Sequence, residues 1–151
     1  MDIVIERLTD LWLSAAADLL LESEGAGWRH VRRLTDEWVR GVNRFDGPGE
    51  ALFGAKAAGR LIGVCGLNVD PYANDPRIGR VRHLYVLAEF RGQGLARRLL
   101  QAVLTAAKES FASLRLRTEC PDTAGFYQSL GFHRVQSQDC THMLRLENQI
   151  I

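Results

Sequence analysis

The spacing of apolar residues divides the chain into segments of extended and helical character. Residues 51–57 and 60–69 are mostly apolar and are separated by Ala58-Gly59, which predicts a β-hairpin. Residues 80–87 form the next predicted strand. Residues 92–110 carry apolar side chains at helical spacing, so this segment predicts a helix that packs on a sheet.

The two ends of the chain contain shorter elements. We predict strands at residues 3–5, 114–118 and 141–146, and helices at residues 9–22, 28–42 and 123–130. The complete order is therefore β-α-α-β-β-β-α-β-α-β, in which antiparallel hairpins precede a β-α-β crossover. This order predicts an α/β fold in which helices cover both faces of one sheet.

Composition narrows the class of protein. A chain of 151 residues that is 46% hydrophobic and 25% charged is typical of one globular domain, which we place at residues 1–151. The net charge of +1 argues against nucleic acid as a partner. The apolar run at residues 11–21 is too short for a membrane span or a signal peptide. Cys65, Cys120 and Cys140 form no CxxC pair, so we expect reduced thiols, no metal and a cytoplasmic protein.

A basic, glycine-containing turn, Arg91-Gly92-Gln93-Gly94-Leu95-Ala96, joins the strand at residues 80–87 to the helix that follows. Unpaired N–H groups at the start of a helix carry partial positive charge, and glycine lets a ligand approach the backbone, so the arrangement is typical of phosphate binding. A Walker-type loop is excluded because Leu95, and not lysine, follows Gly94. A dinucleotide fingerprint is excluded because Arg97 stands where its third glycine is required.

The turn matches the pattern Arg/Gln-x-x-Gly-x-Gly/Ala, with Arg91, Gly94 and Ala96 at the key positions. This pattern resembles the acetyl-CoA signature of the GNAT N-acetyltransferase superfamily. The segment Leu84-Tyr85-Val86 ahead of the turn and residues 126–132 behind it strengthen the match. The resemblance implies the GNAT acyl-CoA N-acyltransferase fold, an α/β fold with a mixed central sheet of about six to seven strands and helices on both faces.

The resemblance implies acetyl-CoA as the co-substrate. The residues that it implies as coenzyme contacts are Leu84, Tyr85, Val86, Arg91, Gly92, Gln93, Gly94, Leu95, Ala96 and Arg97. The strand is expected to pair with the pantetheine arm through main-chain hydrogen bonds, and the N–H groups of the turn are expected to hold the pyrophosphate. Cations at Arg97 and Arg98 oppose the helix dipole unless an anion binds there. Arg97 is the stronger candidate, and solvated surface arginines are the alternative.

Tyr127 is the candidate general acid that the resemblance implies, because it occupies the tyrosine position of a Phe-Tyr-x-x-x-Gly-Phe segment. A phenol with a pKa of about 10 can protonate a departing thiolate whose pKa is about 8.5. The alternative is an aromatic side chain that packs on the sheet. Cys120 departs from the family pattern, since many members carry asparagine at this place, and it lines the acyl gap or is a buried, inert thiol. Asp122 is the predicted N-cap of the following helix.

The group that accepts the proton of the amine is less evident. Glu119, just after the strand at residues 114–118, is the candidate that we include with Tyr127 in the catalytic site. His83 is a second candidate, because histidine titrates near neutrality. Arg82 and His83 are neighbours on a strand, so only one of them is expected to face the helices. Arg82 would instead orient an acidic substrate.

The residues and the resemblance together imply an N-acetyltransferase that moves the acetyl group of acetyl-CoA directly to a primary amine. The acceptor is a small-molecule amine or a peptide or protein amine. Trp28, Arg29, His30 and Trp38 lie on the N-terminal helices, which often cover the acceptor pocket in this superfamily. A non-catalytic acyl-CoA sensor and an O-acyl or longer-acyl transferase are the alternatives. Ile150-Ile151 would leave an apolar strand edge that a second copy covers in a homodimer.

Overall fold

A mixed seven-stranded sheet with helices on both faces is the main feature of the computed structural model, which describes residues 2–146. Its elements are β1 (Ile3–Arg7), α1 (Leu13–Gly25), α2 (His30–Val39), β2 (Ala51–Ala57), β3 (Arg60–Val69), β4 (Ile78–Val86), α3 (Leu95–Ala107), β5 (Ser113–Leu116), α4 (Pro121–Ser129), β6 (His133–Arg134) and β7 (His142–Arg145). The order across the sheet is β1-β2-β3-β4-β5-β7-β6. Among the described strands, β4 and β5 are the parallel neighbours and the other pairs are antiparallel. The predicted α/β fold with a mixed sheet is confirmed.

The helices lie on opposite faces of the sheet, as β3 shows. A side chain at Gly63 would meet Leu99 of α3, whereas a side chain at Gly66 would meet Phe45. Phe45 stacks on Trp38 of α2, with 6.5 Å between the ring centroids. Residues an odd number of positions apart point to opposite faces of a strand. Helix α3 therefore covers one face, and the α1–α2 pair covers the other.

Three helices begin later than the residue pattern predicted, among them α2, which covers His30–Val39 and not residues 28–42. Helix α1 starts at Leu13 and not at residue 9, because Leu8 and Leu11 are both buried in the core and the chain between them is irregular, with a bend at Thr9. Helix α3 starts at Leu95 and not at residue 92, because left-handed glycines occupy the turn before it. Tertiary packing and backbone conformation thus outweigh helical spacing at these ends.

The C-terminal elements also differ in detail from the prediction. Helix α4 starts at Pro121, a residue favoured in the first helical turn, so the N-cap position falls on Cys120 and not on Asp122. Strand β6 was not predicted, because two residues cannot display alternation. The remaining strands match the predicted ones to within a few residues. The proposed dimer edge at Ile150-Ile151 lies outside the described residues.

Strands β4 and β5 pair over a short distance and then separate. The paired positions run from Ile78 with Ser113 to Arg80 with Arg115. The upper part of β4, residues 82–86, continues to pair with β3 but not with β5. This divergence creates the β4–β5 gap, which opens directly ahead of the glycine turn.

A buried carboxylate joins the two strands at the base of this gap. The Asp70 side chain is 0% exposed and lies 3.0 Å from Arg80 Nη1 and 3.7 Å from Arg115 Nε. Arg80 Nη2 also donates to the Asp139 carbonyl at 2.7 Å. Because Arg80 and Arg115 are the last paired positions, the Asp70 carboxylate holds β4 and β5 together just where they begin to separate.

Candidate active site

The upper part of β4 presents main-chain groups to the gap. Leu87 N–H donates to the Ile62 carbonyl of β3 at 2.9 Å. Because hydrogen-bonding residues alternate along an antiparallel ladder, Tyr85 bonds β3 while the main chain of Val86 points away from it. The Val86 carbonyl accepts a hydrogen bond from Arg91 Nε at 2.9 Å, which agrees with this direction. The gap-facing edge of β4 can therefore bind an extended ligand as an additional strand would bind.

The glycine turn has a shape suited to an anion. Gly92 and Gly94 have left-handed φ angles of 81° and 77°. A Cβ on either glycine would meet nothing within 4 Å, so the backbone conformation and not crowding requires glycine. Within residues 2–146 the N–H groups of residues 92–97 find no acceptor, and Arg98 N–H is the first to donate, to the Gly94 carbonyl at 3.0 Å. Successive N–H groups without acceptors, beside buried Leu95, are the kind of arrangement that binds anions in proteins.

Arg97 and Arg98, the two arginines that follow the turn, differ in their contacts with the rest of the protein. Gln93 and Arg97 are exposed, and Ala96 is half-buried. Arg97 makes no ion pair with the described residues, whereas Arg98 Nη2 donates to the Ile3 carbonyl of β1 at 2.9 Å. The structure therefore gives Arg98 a structural partner and leaves Arg97 free beside the turn.

Glu22 of α1 connects the N-terminal helices to the end of β4. Its carboxylate accepts hydrogen bonds from Tyr85 Oη at 2.6 Å and from Ala88 N–H at 2.9 Å. Arg91 Nη2 lies 3.6 Å from the same carboxylate, and the Arg91 guanidinium lies 5.2 Å from the Tyr85 ring centroid. Burial, followed by the bond to Glu22, raises the pKa of Tyr85 to about 12. Residue patterns could not reveal Glu22, because its partners are distant in the chain.

Tyr127 of α4 is buried between two aromatic neighbours. Its ring centroid lies 5.3 Å from that of Phe126 and 5.5 Å from that of Phe132. Burial raises the pKa of Tyr127 well above its ordinary value, and the nearby Cys65 adds to this. Cys65 shares a face of β3 with Gly63, which is the face that α3 covers. Tyr127 therefore lies on the α3 side of the sheet, close to β3. Strand β3 is the one that pairs with the upper part of β4.

Glu119 and Cys120 lie between β5 and α4. The Glu119 side chain is 74% exposed, and its carboxylate lies 3.0 Å from Arg117 Nε. None of the contacts in the described part of the chain joins Glu119 to Tyr127 or to β4. Hydrogen bonds from Thr123 lower the pKa of the half-buried Cys120 thiol. The structure thus keeps the two predicted catalytic residues, Tyr127 and Glu119, apart.

A bulge in β4 turns two consecutive side chains towards α2. His83 has a φ of 63°, and the pairing with β3 shifts at this point. Arg82 Nη2 lies 3.8 Å from Glu37 Oε1 of α2, and the His83 ring lies 6.1 Å from Phe45 on the same side. The expectation that only one of Arg82 and His83 faces the helices is therefore wrong, because it assumed an unbroken strand.

His83 beneath α2 is buried, His30 at the start of α2 is half-buried, and both have ring nitrogens without a hydrogen-bond partner among the described residues. Neither ring nitrogen of His83 has a hydrogen-bond partner among the described residues, nor has His30 Nε2. Burial lowers the pKa of both side chains, and that of His83 falls well below its usual range, with Arg82 contributing. The His30 ring lies between Tyr85, at 5.6 Å, and the half-exposed Trp28, at 6.2 Å. Both imidazoles are therefore neutral at pH 7.

Trp38 and Arg29, the other two residues expected near the acceptor pocket, lie in different environments. Trp38 is buried in the core, and Arg29 is exposed at the start of α2.

Among residues 2–146, no group of three or more histidine, cysteine or acidic side chains is placed to hold a metal ion. None of the helices in that range is long and apolar enough to cross a membrane.

The acetyltransferase (GNAT) domain model matches residues 48–134, which is more than half of the 151 residues. The chain belongs to the GNAT acetyltransferase family. N-alpha-acetyltransferase RimI from Mycobacterium tuberculosis is 30% identical over 95 residues, which are 58% of this chain and 55% of RimI. The chain thus aligns with about half the length of this curated relative.

Solved structures of GNAT proteins share the fold over almost the whole chain. A candidate acetyltransferase from Exiguobacterium sp. 255-15 superposes with a TM-score of 0.82 and 32% identity, covering 96% of this chain and 94% of that one. A GNAT acetyltransferase from Staphylococcus aureus Mu50 gives 0.77 and 15%, covering 97% and 100%. YhbS from Escherichia coli, crystallised with CoA, gives 0.66 and 20%, covering 97% and 82%. The last two similarities concern the fold alone.

Proposed function

We propose that this GNAT protein is an acetyl-CoA-dependent N-acetyltransferase that transfers the acetyl group directly to a primary amine. The observation that carries this proposal is the continuity of two main-chain surfaces. The gap-facing edge of β4 ends at Val86, and the free N–H groups of residues 92–97 follow within one turn. An elongated ligand with a polar arm and phosphates at one end fits this arrangement.

The coenzyme is proposed to bind through the backbone more than through side chains. Leu84 and Val86 supply the strand edge for the pantetheine arm, and the main chain of Tyr85 between them bonds β3. In the turn from Arg91 to Ala96, the N–H groups of Gly92, Gln93, Gly94, Leu95 and Ala96 are available for the pyrophosphate, whereas Arg91 N–H donates to the Ala88 carbonyl at 3.2 Å. The exposed Arg97 adds a positive charge that no described carboxylate neutralises. Arg91 holds the turn against β4 through its bond to the Val86 carbonyl.

Tyr127 is proposed as the general acid. A bound acetyl-CoA supplies an activated thioester, and the reaction needs a proton for the sulfur that departs. Because burial raises the pKa of Tyr127, its hydroxyl is fully protonated at neutral pH. Its approach from the α3 side leaves the opposite side of the gap to the amine.

For the proton acceptor we propose His83 ahead of Glu119. His83 is neutral at pH 7, its two buried ring nitrogens have no hydrogen-bond partner among the described residues, and its ring lies beside Phe45 on the α2 face of the sheet. A neutral imidazole can accept a proton from an ammonium group, directly or through water. Glu119 stays a candidate through its position after β5, but its carboxylate is paired with Arg117 in the solvent.

Thermal unfolding and a CoA-release assay test the proposal. Acetyl-CoA at millimolar concentration is expected to raise the Tm, whereas ATP and NAD leave it unchanged, because a ligand that binds only the native state stabilises it. Absence of a shift with acetyl-CoA would contradict the proposed coenzyme. Release of CoA with any member of an amine panel separates an enzyme from a non-catalytic acyl-CoA sensor.

We also propose a cellular compartment, a class of acceptor and an oligomeric state. The free thiols of Cys65, Cys120 and Cys140 support a reducing compartment, which we propose to be the cytoplasm. The RimI relative is described as an N-alpha-acetyltransferase, which supports a peptide N-terminus among the acceptors to be tested. A single domain over residues 1–151 and a homodimer stay proposals, the latter to be examined by sedimentation.

A further inference from the structure

Arg82 is a mostly buried cation without a short hydrogen bond. Its side chain is 20% exposed, and its nearest acceptors among the described residues are Asn68 Oδ1 at 3.5 Å and Glu37 Oε1 at 3.8 Å. Both distances exceed the usual range for N–H···O bonds, about 2.7–3.2 Å. Because both contacts are long, the Arg82 guanidinium can still donate to a closer, anionic partner, and a ligand bound during function would supply one.

Arg33 is a second cation in the region of the Arg82 side chain. His30, Arg33 and Glu37 follow one another at spacings of three and four residues, so they share one face of α2. Contacts fix both ends of this face, since the His30 ring lies 5.6 Å from Tyr85 and Glu37 lies 3.8 Å from Arg82. Arg33 therefore lies between these points, above the β4 bulge.

The charges in this region do not balance. Arg33 is exposed and makes no ion pair with the described residues. Glu37 is the acidic group opposite Arg82, and its carboxylate is not within hydrogen-bond distance. The Asn68 amide that Arg82 approaches is already bonded to Asn43, at 2.9 and 3.0 Å. Two guanidinium groups therefore face one distant carboxylate, beside the neutral and unbonded His83.

We infer that the acceptor amine carries an anionic group, a carboxylate, which binds between Arg33 and Arg82 while the amine faces His83. A carboxylate accepts two parallel hydrogen bonds from a guanidinium and would give Arg82 a closer partner than Glu37 or Asn68. A free amino acid and a peptide with an acidic residue next to its N-terminus both provide this chemistry. The inference rests on the proposed function, because it names the substrate class of the same site.

Two matched acceptor pairs test the inference and separate its two sources. The first pair is L-alanine and L-alaninamide, and the second is the peptide amides Ala-Glu and Ala-Gln. We expect the carboxylate member of at least one pair to have a kcat/KM about tenfold higher, mainly through KM. Because the amine of alaninamide is the weaker base, ionisation of the amine cannot produce a preference for alanine.

Substitutions of Arg33 and Arg82 test whether these two residues cause the preference for the acidic acceptor. Arg33→Gln should raise the KM of the acidic acceptor about tenfold and leave the neutral acceptor and the affinity for acetyl-CoA unchanged. Arg40→Gln is the matched control, because Arg40 is an exposed arginine at the other end of α2. Arg82→Lys keeps the buried charge but loses the planar fork, and it should also weaken the acidic acceptor.

The outcomes separate this inference from the proposed function. Equal kcat/KM within both pairs, or an unchanged preference in Arg33→Gln, overturns the inference and leaves the acetyltransferase activity standing. If acetyl-CoA binds but no amine is acetylated, the proposed function fails. Calorimetric titration of Ala-Glu amide into the acetyl-CoA complex then decides the inference alone. Binding that Arg33→Gln abolishes supports it, and no binding to the wild-type protein overturns it.

Discussion

The proposed coenzyme side and the proposed acceptor side of the β4–β5 gap consist of different kinds of groups. On the proposed coenzyme side these are consecutive main-chain groups from the end of β4 to the start of α3. On the acceptor side, side chains from distant segments meet, such as Glu37 with Arg82 and His30 with Tyr85. A main-chain site depends on local backbone conformation, whereas a side-chain site depends on how the elements pack.

This difference predicts separable effects of mutation. Changes in the turn should affect the coenzyme and leave the acceptor alone, and changes beneath α2 should do the opposite. Tyr127, the proposed general acid, should affect the chemical step alone. Three predictions, from the largest expected effect to the smallest, test whether the division holds.

Gly94→Glu should weaken acetyl-CoA binding about 10³-fold. A carboxylate at this position would lie where the pyrophosphate is proposed to bind, and the loss of charge-assisted N–H bonds would account for the magnitude. Calorimetric titration with acetyl-CoA measures the effect. Gly59→Glu is the matched control, because Gly59 also has a left-handed φ, 82°, and open space at its Cβ, but lies in the β2–β3 hairpin. Equal coenzyme affinity in the two variants would contradict the assignment of the turn.

Tyr127→Phe should lower kcat about 10²-fold and leave the affinity for acetyl-CoA within about twofold of the wild-type value. The variant removes only a hydroxyl whose raised pKa keeps it protonated. Steady-state kinetics with a reactive amine, together with a coenzyme titration, distinguish the two effects. Tyr72→Phe serves as the control, since Tyr72 is an exposed tyrosine of the β3–β4 loop. An unchanged kcat in Tyr127→Phe would remove Tyr127 from the mechanism.

His83→Asn should make stability less sensitive to acid. Burial lowers the pKa of His83 well below its unfolded value of 6.5, so above pH 6.5 neither state is protonated and the histidine has no effect. Below pH 6.5 the unfolded chain binds a proton that the native protein excludes. The native state therefore loses up to about 1.4 kcal/mol per pH unit until the folded pKa is reached. Asparagine tolerates the left-handed backbone at this position.

Urea unfolding at pH 7.5 and pH 5.5 measures this difference for His83→Asn and the wild-type protein. His133→Asn is the control, because His133 is exposed on β6, and His30 should add an effect of the same sign as that of His83. An identical acid sensitivity in His83→Asn and the wild type would contradict a neutral, buried imidazole. Loss of activity at pH 7.5 in His83→Asn, but not in Glu119→Gln, would identify His83 as the proton acceptor.

The prediction from residue patterns succeeded where the evidence was local and periodic. The β2–β3 hairpin, β4 and the body of α3 were found because their apolar spacing is regular. The starts of α1 and α4 were displaced, since buried Leu8 and Leu11 and the first-turn Pro121 decide them. The two-residue β6 left no pattern to detect. Element ends depend on packing that no local spacing displays.

Around the proposed coenzyme site, too, local residue patterns could be predicted from the sequence and distant contacts could not. The turn from Arg91 to Ala96 was identified from its order of residues, because glycines at fixed offsets impose the left-handed conformation that frees the N–H groups. Glu22 was missed, although it bonds both Tyr85 and Ala88, since nothing near it in the chain signals those partners.

By itself, the sequence determined the fold class, the family and the turn proposed for the coenzyme phosphates, because each follows from residue spacing within a short segment. Only the tertiary structure decided the acceptor side. The bulge at His83 turns Arg82 and His83 to one face, and α2 brings Arg33 above them. A one-residue irregularity reverses the direction of a strand side chain, and no alternation rule anticipates it. The proposed acceptor site therefore depends on how distant elements pack, whereas the proposed coenzyme site depends on local backbone conformation.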